Sequence, residues 1–175
     1  MNTTEKPKDH ASAFVQGMVG LCMQSKGARA ALRRSLSPEQ ESGSWIYLSP
    51  WIDLTDTKKR KIHVLIAGML ASEKTVGAGP LSLGKALRLA VKDRKKNEGA
   101  KNQFPDDPRF RRLLATDDID DVLLVLRPII QFIQSRCPGQ LDYSSVLRDL
   151  EFYGERVRAR WAQEFFRAID NVEEV

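Results

Sequence analysis

Residues 141–169, LDYSSVLRDLEFYGERVRARWAQEFFRAI, read as two helices joined at one glycine, and the rest of the chain is read outward from them. Asp142 is a cap residue whose carboxylate can accept from first-turn N–H groups, with Leu141 placed to staple against Val146. Val146, Leu147 and Leu150 give the first helix an apolar face, and Gly154 stands where a left-handed C-cap is expected. In the second helix Val157, Trp161, Phe165, Ala168 and Val172 fall on one stripe. Arg156, Arg160 and Arg167 form another stripe, about 100° round from the first. An apolar seam with an arginine rail beside it predicts a helix that packs inward and grips an anion outward.

Upstream the helical period continues. Phe14, Val15, Met18, Val19, Leu21 and Cys22 mark a first helix over about 9–23. In KGARAALRRSL, Ala28, Leu32 and Leu36 face inward, while Lys26, Arg29 and Arg33 share the other side. Ser37, Pro38 and Gln40 form a helix-start signature. In WIYLSPWI, Trp45, Tyr47 and Trp51 interleave with Ile46, Leu48 and Ile52, and core packing is the expected role rather than base stacking. Thr55 or Asp56 caps the next helix, basic over Lys58–Lys61 and apolar later, a polarity that opposes the helix dipole and leaves those cations open to a partner.

After a loop at Gly77–Pro80, Ser82 is read as the cap of SLGKALRLAVKDRKK. Leu83, Ala86, Leu87, Ala90 and Val91 face inward there, and Lys85, Arg88, Lys92 and Lys95 form a cationic ridge. Asp107 and Pro108 open a helix carrying Arg109 and Arg112 on one side; Thr116 or Asp117 caps the next, whose buried face runs from Ile119 to Ile133 across Pro128. Strand alternation is absent at any useful length. The expected fold is all-α, a two-part helical bundle of about eight to nine helices. Residues 9–96 form its N-terminal helical region, 97–106 a linker and 107–173 a C-terminal helical bundle.

The chain has 175 residues, a formal charge of +5 and a pI near 9.3. Residues 26–100 hold 15 Lys+Arg against 7 Asp+Glu, whereas residues 101–175 hold 11 against 14. The basic surplus therefore lies in the middle, and the later arginines stand among acids. The two cysteines, Cys22 and Cys137, lack metal-ligand spacing and are expected as buried thiols. MNTTEKPKDH lacks a signal-peptide core and no run has the apolar length of a membrane span, so a cytoplasmic protein without membrane contact is expected.

Chemistry-bearing motifs are few. His10 and His63 have no sequence neighbours that suggest catalysis, and no phosphate-binding glycine loop occurs. Asp117, Asp118, Asp120 and Asp121 are the one candidate metal group, as in a Mg²⁺ nuclease, but acids in the first turn of a helix are better explained by its dipole. No catalysis, cofactor or metal is expected. What remains is arginine, the side chain that pairs bidentately with phosphate, in several helical rails. Without a recognition helix or stacking platform, binding is expected to the nucleic-acid backbone, indifferent to sequence.

GARAALRRSL, SLGKALR, RFRRLLATDDIDDVLLVLR and LDYSSVLRDLEFYGERVRARWAQEFF occur in this order. Together they resemble the CasB family, the small subunit of the type I-E CRISPR surveillance complex Cascade, over roughly 26–169. The resemblance implies an all-helical protein with no activity of its own, two copies lying head-to-tail in the complex. Its implied partners are the large subunit, the backbone subunits, the crRNA, the target DNA and the displaced non-target strand. Carried over by motif, the nucleic-acid-binding candidates are Arg33, Arg34, Lys85, Arg88, Arg109, Arg111, Arg112, Arg127, Arg148, Arg156, Arg158 and Arg160, to which the rail it shares with Arg33 adds Arg29. The alternative is a purely structural subunit whose arginines meet acids on neighbouring subunits. Tyr153 stands where many relatives have tryptophan.

Overall fold

The computed structural model describes residues 9–97 and 105–167. Among them are nine α-helices: α1 His10–Gln24, α2 Lys26–Arg34, α3 Trp45–Leu48, α4 Thr57–Ser72, α5 Leu83–Asn97, α6 Pro108–Leu114, α7 Ile119–Arg136, α8 Tyr143–Glu151 and α9 Glu155–Phe166. The fold is all-α, as the periodicity predicts. One isolated parallel bridge, Leu81 with Leu141, ties the loop before α5 to the entry of α8.

α4 is the axis of the packing. Every residue from Ile62 to Ala71 is buried, and α1, α2, α7 and α8 all lie against it. An all-round apolar segment of this kind is stable only when surrounded. Gly68 permits a close approach of α2 and the residues after it: a Cβ there would meet the Leu36 side chain at 2.6 Å and the Leu32 carbonyl oxygen at 2.9 Å. The cap is Asp56, which accepts from the Lys59 N–H at 3.0 Å.

Helices on either side of the expected linker share one core. α5 packs on α7 and α9, and α1 packs on α8. Leu83, Ala86, Leu87, Ala90 and Val91 are fully buried, as are Trp161 and Phe165 opposite. Gly84 lets α5 and α9 meet: a Cβ would lie 2.6 Å from the Trp161 carbonyl oxygen and 2.7 Å from Glu164 Cβ. Residues 98–104, most of that linker, and Ala168 and Val172 of the expected stripe lie outside the described residues.

Buried Glu73, Tyr143 and Asp149 are paired in this core. Tyr143 Oη donates to Glu73 Oε1 at 2.7 Å, and Gln134 Nε2 donates to Tyr143 Oη and to the Met69 carbonyl. Burial first, then the Glu73 charge, push the Tyr143 phenol well above its ordinary range, so it remains a donor. Asp149, also buried, accepts from Trp161 Nε1 at 2.7 Å and from Arg160.

Several local expectations are corrected. Gly154 is not a left-handed C-cap: its φ is 175°, extended backbone, and it precedes α9 as N-cap. The positive φ belongs to Gly139, at 74°. Asp118, not Thr116 or Asp117, caps α7, accepting from the N–H groups of Asp120 and Asp121. Residues Pro38–Ser44 form a 3₁₀ helix in which the Ser37 side chain makes no capping bond. Ile46, expected in the core, is 73% exposed, whereas Leu48 is buried. α7 runs through Pro128 as one helix, and Leu124, whose carbonyl the proline ring leaves without its usual partner, lies on the solvent side. No helix among the described residues is long and apolar enough to cross a membrane.

Candidate nucleic-acid interface

The arginines divide by what already holds them. Arg33 and Arg34 stand in the last turn of α2, where the helix dipole favours cations, and both are exposed. Arg127 reaches across from α7 and donates through Nη1 to the Leu36 carbonyl at 2.7 Å. The three line one cleft with Ala30, Leu36, Ser72 and Gln131. No carboxylate lines it, and neither Arg33 nor Arg34 has an acidic partner among the described residues. An anion in the cleft would meet three guanidinium-bearing residues with no carboxylate in the lining to oppose it. Bidentate donors on such a surface suit phosphate oxygens.

Three further candidates, Lys85 on α5, Arg112 on α6 and Arg156 on α9, are exposed and likewise without an acidic partner among the described residues. Lys92 is exposed on the same helix as Lys85. Arg88 is different: it is only 8% exposed and its Nε has no hydrogen-bond partner, so the surface ridge is interrupted there. The Lys95 side chain is outside the described part.

The remaining candidates are engaged within the chain. Arg29 donates to the Ala71 and Glu73 carbonyls and so closes the C-terminus of α4. Arg109 forks onto Asp107, with Nε–Oδ1 at 3.0 Å and Nη2–Oδ2 at 2.6 Å, and lies over the Phe132 ring. Burial alone would raise the Asp107 pKa. The hydrogen bonds and charge of Arg109, with N–H donation from Arg109 and Phe110, outweigh it and hold the carboxyl below its usual range. Arg111 pairs with Asp106, Arg148 with Asp9 at 2.6 Å, and Arg158 with Asp117 at 2.5 Å and the Leu114 carbonyl. Arg160 is tied to Asp149.

The acids of 117–121 are accounted for in the same terms. Asp118 caps α7, Asp117 holds Arg158, and Asp120 accepts from Lys61 at 2.9 Å. Lys61 thus has a partner, as does Arg60 through Glu41, while Lys58 and Lys59 are exposed. Gln131 and Ser72 are cleft residues that the sequence reading misses. Gln131 follows Arg127 by one helical turn, a spacing that places both on one face; Ser72 carries no such signal.

The chain matches the family described as CRISPR-associated protein Cse2 over residues 28–166. Among solved structures it is similar to a CRISPR-associated Cse2-family protein from Thermus thermophilus, with 26% identity and a TM-score of 0.69, covering 90% of this chain and 98% of that one. A structure of CasB from Thermus thermophilus aligns at 26% identity and a TM-score of 0.64, covering 94% and 100%. CasB from M. ruber, at 24% identity and a TM-score of 0.66 over 91% and 93%, shares the fold. No curated protein sequence matches.

Proposed function

The chain belongs to the CRISPR-associated Cse2 family, and from that premise we propose that it is the non-catalytic small subunit of a type I-E Cascade surveillance complex. In this role it holds nucleic-acid backbone through Arg/Lys surfaces and stabilises the crRNA–target heteroduplex and the displaced strand. A chain of similar fold occurs in a solved CRISPR RNA-guided surveillance complex. Exchanging a DNA duplex for an RNA–DNA heteroduplex is nearly balanced, so a few phosphate contacts to the opened strands decide which state is populated. The observation that carries the reading is the cleft of Arg33, Arg34 and Arg127 with no acid in its lining.

The test is reconstitution of the complex with Arg33→Glu/Arg34→Glu. Normal assembly on a sizing column with a lost or strongly weakened target-bound state supports backbone clamping. Failed assembly with DNA affinity preserved in any residual particle supports the second reading, a subunit that only joins its neighbours. In that second reading the exposed Arg33 and Arg34 meet acids on neighbouring subunits instead of phosphate.

A further inference from the structure

Three helices bring His10, His63 and Glu151 together, and none of the three lines the arginine cleft. Their ligand-type atoms all lie within 4.8 Å of one another. His10 opens α1, His63 lies in the buried part of α4, and Glu151 closes α8. The His63 ring is fully buried, with Nδ1 2.8 Å from the Lys59 carbonyl oxygen. A carbonyl oxygen only accepts, so Nδ1 carries the proton, and in the neutral ring Nε2 is a bare lone pair. That nitrogen has no hydrogen-bond donor and faces Glu151 Oε1 at 3.8 Å. The His10 ring lies beside it, centroids 5.8 Å apart, on the exposed side. Electron-pair donors gathered beside a buried nitrogen without a partner ask for a cation between them.

We infer that His10, His63 and Glu151 form a binding site for a zinc-class divalent metal ion, with water entering as fourth ligand from the His10 side. Two imidazoles and a carboxylate suit Zn²⁺ and its neighbours Co²⁺ and Ni²⁺ rather than the all-oxygen shells of Mg²⁺ or Ca²⁺. The Nδ1–H bond from His63 to a main-chain carbonyl is the outer contact that fixes the ring of a metal-binding histidine. Phe14 packs edge-on against that ring, centroids 4.7 Å apart, so His63 is the immovable ligand. Tetrahedral zinc bonds of about 2.0–2.1 Å place ligand atoms roughly 3.3 Å apart. The closure needed is within the side-chain reach of exposed His10 and half-buried Glu151. Because α1, α4 and α8 already touch pairwise, the ion joins helices that are in place and fastens the start of α1 to the core.

The experiment uses tag-free full-length protein, stripped with a chelator and titrated with Zn²⁺ and Co²⁺. One equivalent binds per chain, Tm rises by several degrees, and bound Co²⁺ gives the intense visible band of four-coordinate nitrogen and oxygen ligation. No thiolate charge-transfer band accompanies it. His10→Ala and Glu151→Gln each weaken binding by more than the roughly 10–100-fold that loss of an outer-shell partner costs. Glu151→Gln carries a second signature: its amide can donate to His63 Nε2, so Tm of the metal-free protein holds or rises while the zinc-dependent rise disappears. Absence of stoichiometric binding at micromolar zinc, binding unchanged in both variants, or a thiolate band from Cys22 or Cys137 would each overturn the site.

Discussion

Arg158 and Arg160 on α9 and Arg33 and Arg34 at the end of α2 are the same side chain in opposite circumstances. On α9, Arg158 and Arg160 are taken up by Asp117 and Asp149, each brought in from another element. At the end of α2, Arg33 and Arg34 meet a third guanidinium and no acid. A rail of arginines on a helix therefore says little about an anion site until the partners are known. Charge distribution anticipates the difference: acids outnumber bases in residues 101–175 and bases dominate in 26–100. Arg158 and Arg160 are held within the fold, whereas Arg33 and Arg34 stand exposed without an acidic partner among the described residues.

The largest effect expected of that division is at Asp149. Asp149→Ala removes the acceptor of a buried Trp161 N–H and leaves Arg160 unpaired, at a cost of about 3 kcal/mol in urea unfolding. A cost under about 1 kcal/mol would break the comparison on its stability side.

Asp107→Asn sharpens it further, because asparagine keeps the α6 cap and loses the charge that Arg109 holds. The Asp107 pKa is depressed when folded. Its charge therefore contributes stability that is fully present above the unfolded carboxyl pKa of about 4, and that fades as pH falls through the lower folded value. At neutral pH the variant should be about 1–2 kcal/mol less stable. The gap should shrink steadily below about pH 4 in parallel unfolding curves; a gap constant with pH would refute the assignment. The smallest effect belongs to Arg111→Ala: its pair with Asp106 is exposed on both sides, and stability should change by less than about 0.5 kcal/mol.

Much of the fold is legible because helix period and caps are local. Asp107 and Asp142 cap the helices they are expected to open, Asp56 rather than Thr55 caps α4, and the inward set of α5 is buried as read. The misplacements have physical causes. Residue type alone suggests a C-cap at Gly154, yet the turn there is extended and serves the following helix. Arg88 follows the period of a surface ridge, but α5 is covered by α7 and α9 on more than one side, so the ridge position is buried. The candidate site is half legible. Arg33 and Arg34 are adjacent in the chain, but their meeting with Arg127 depends on how α2 and α7 are placed about α4. His10, His63 and Glu151 come from three helices and share no sequence spacing, so only the packed structure assembles them.

The central claim, that the α2 arginines and not the paired ones meet nucleic-acid backbone, is tested most directly by salt-dependent binding of the full chain to labelled single- and double-stranded DNA of several sequences. The predicted result is sequence-independent binding that weakens steeply between low and moderate salt. The slope of log K against log salt should become shallower by about 2 in Arg33→Ala/Arg34→Ala and stay unchanged in Arg148→Ala. Equal slopes in the wild type and the double variant, or no binding at low salt, would contradict it.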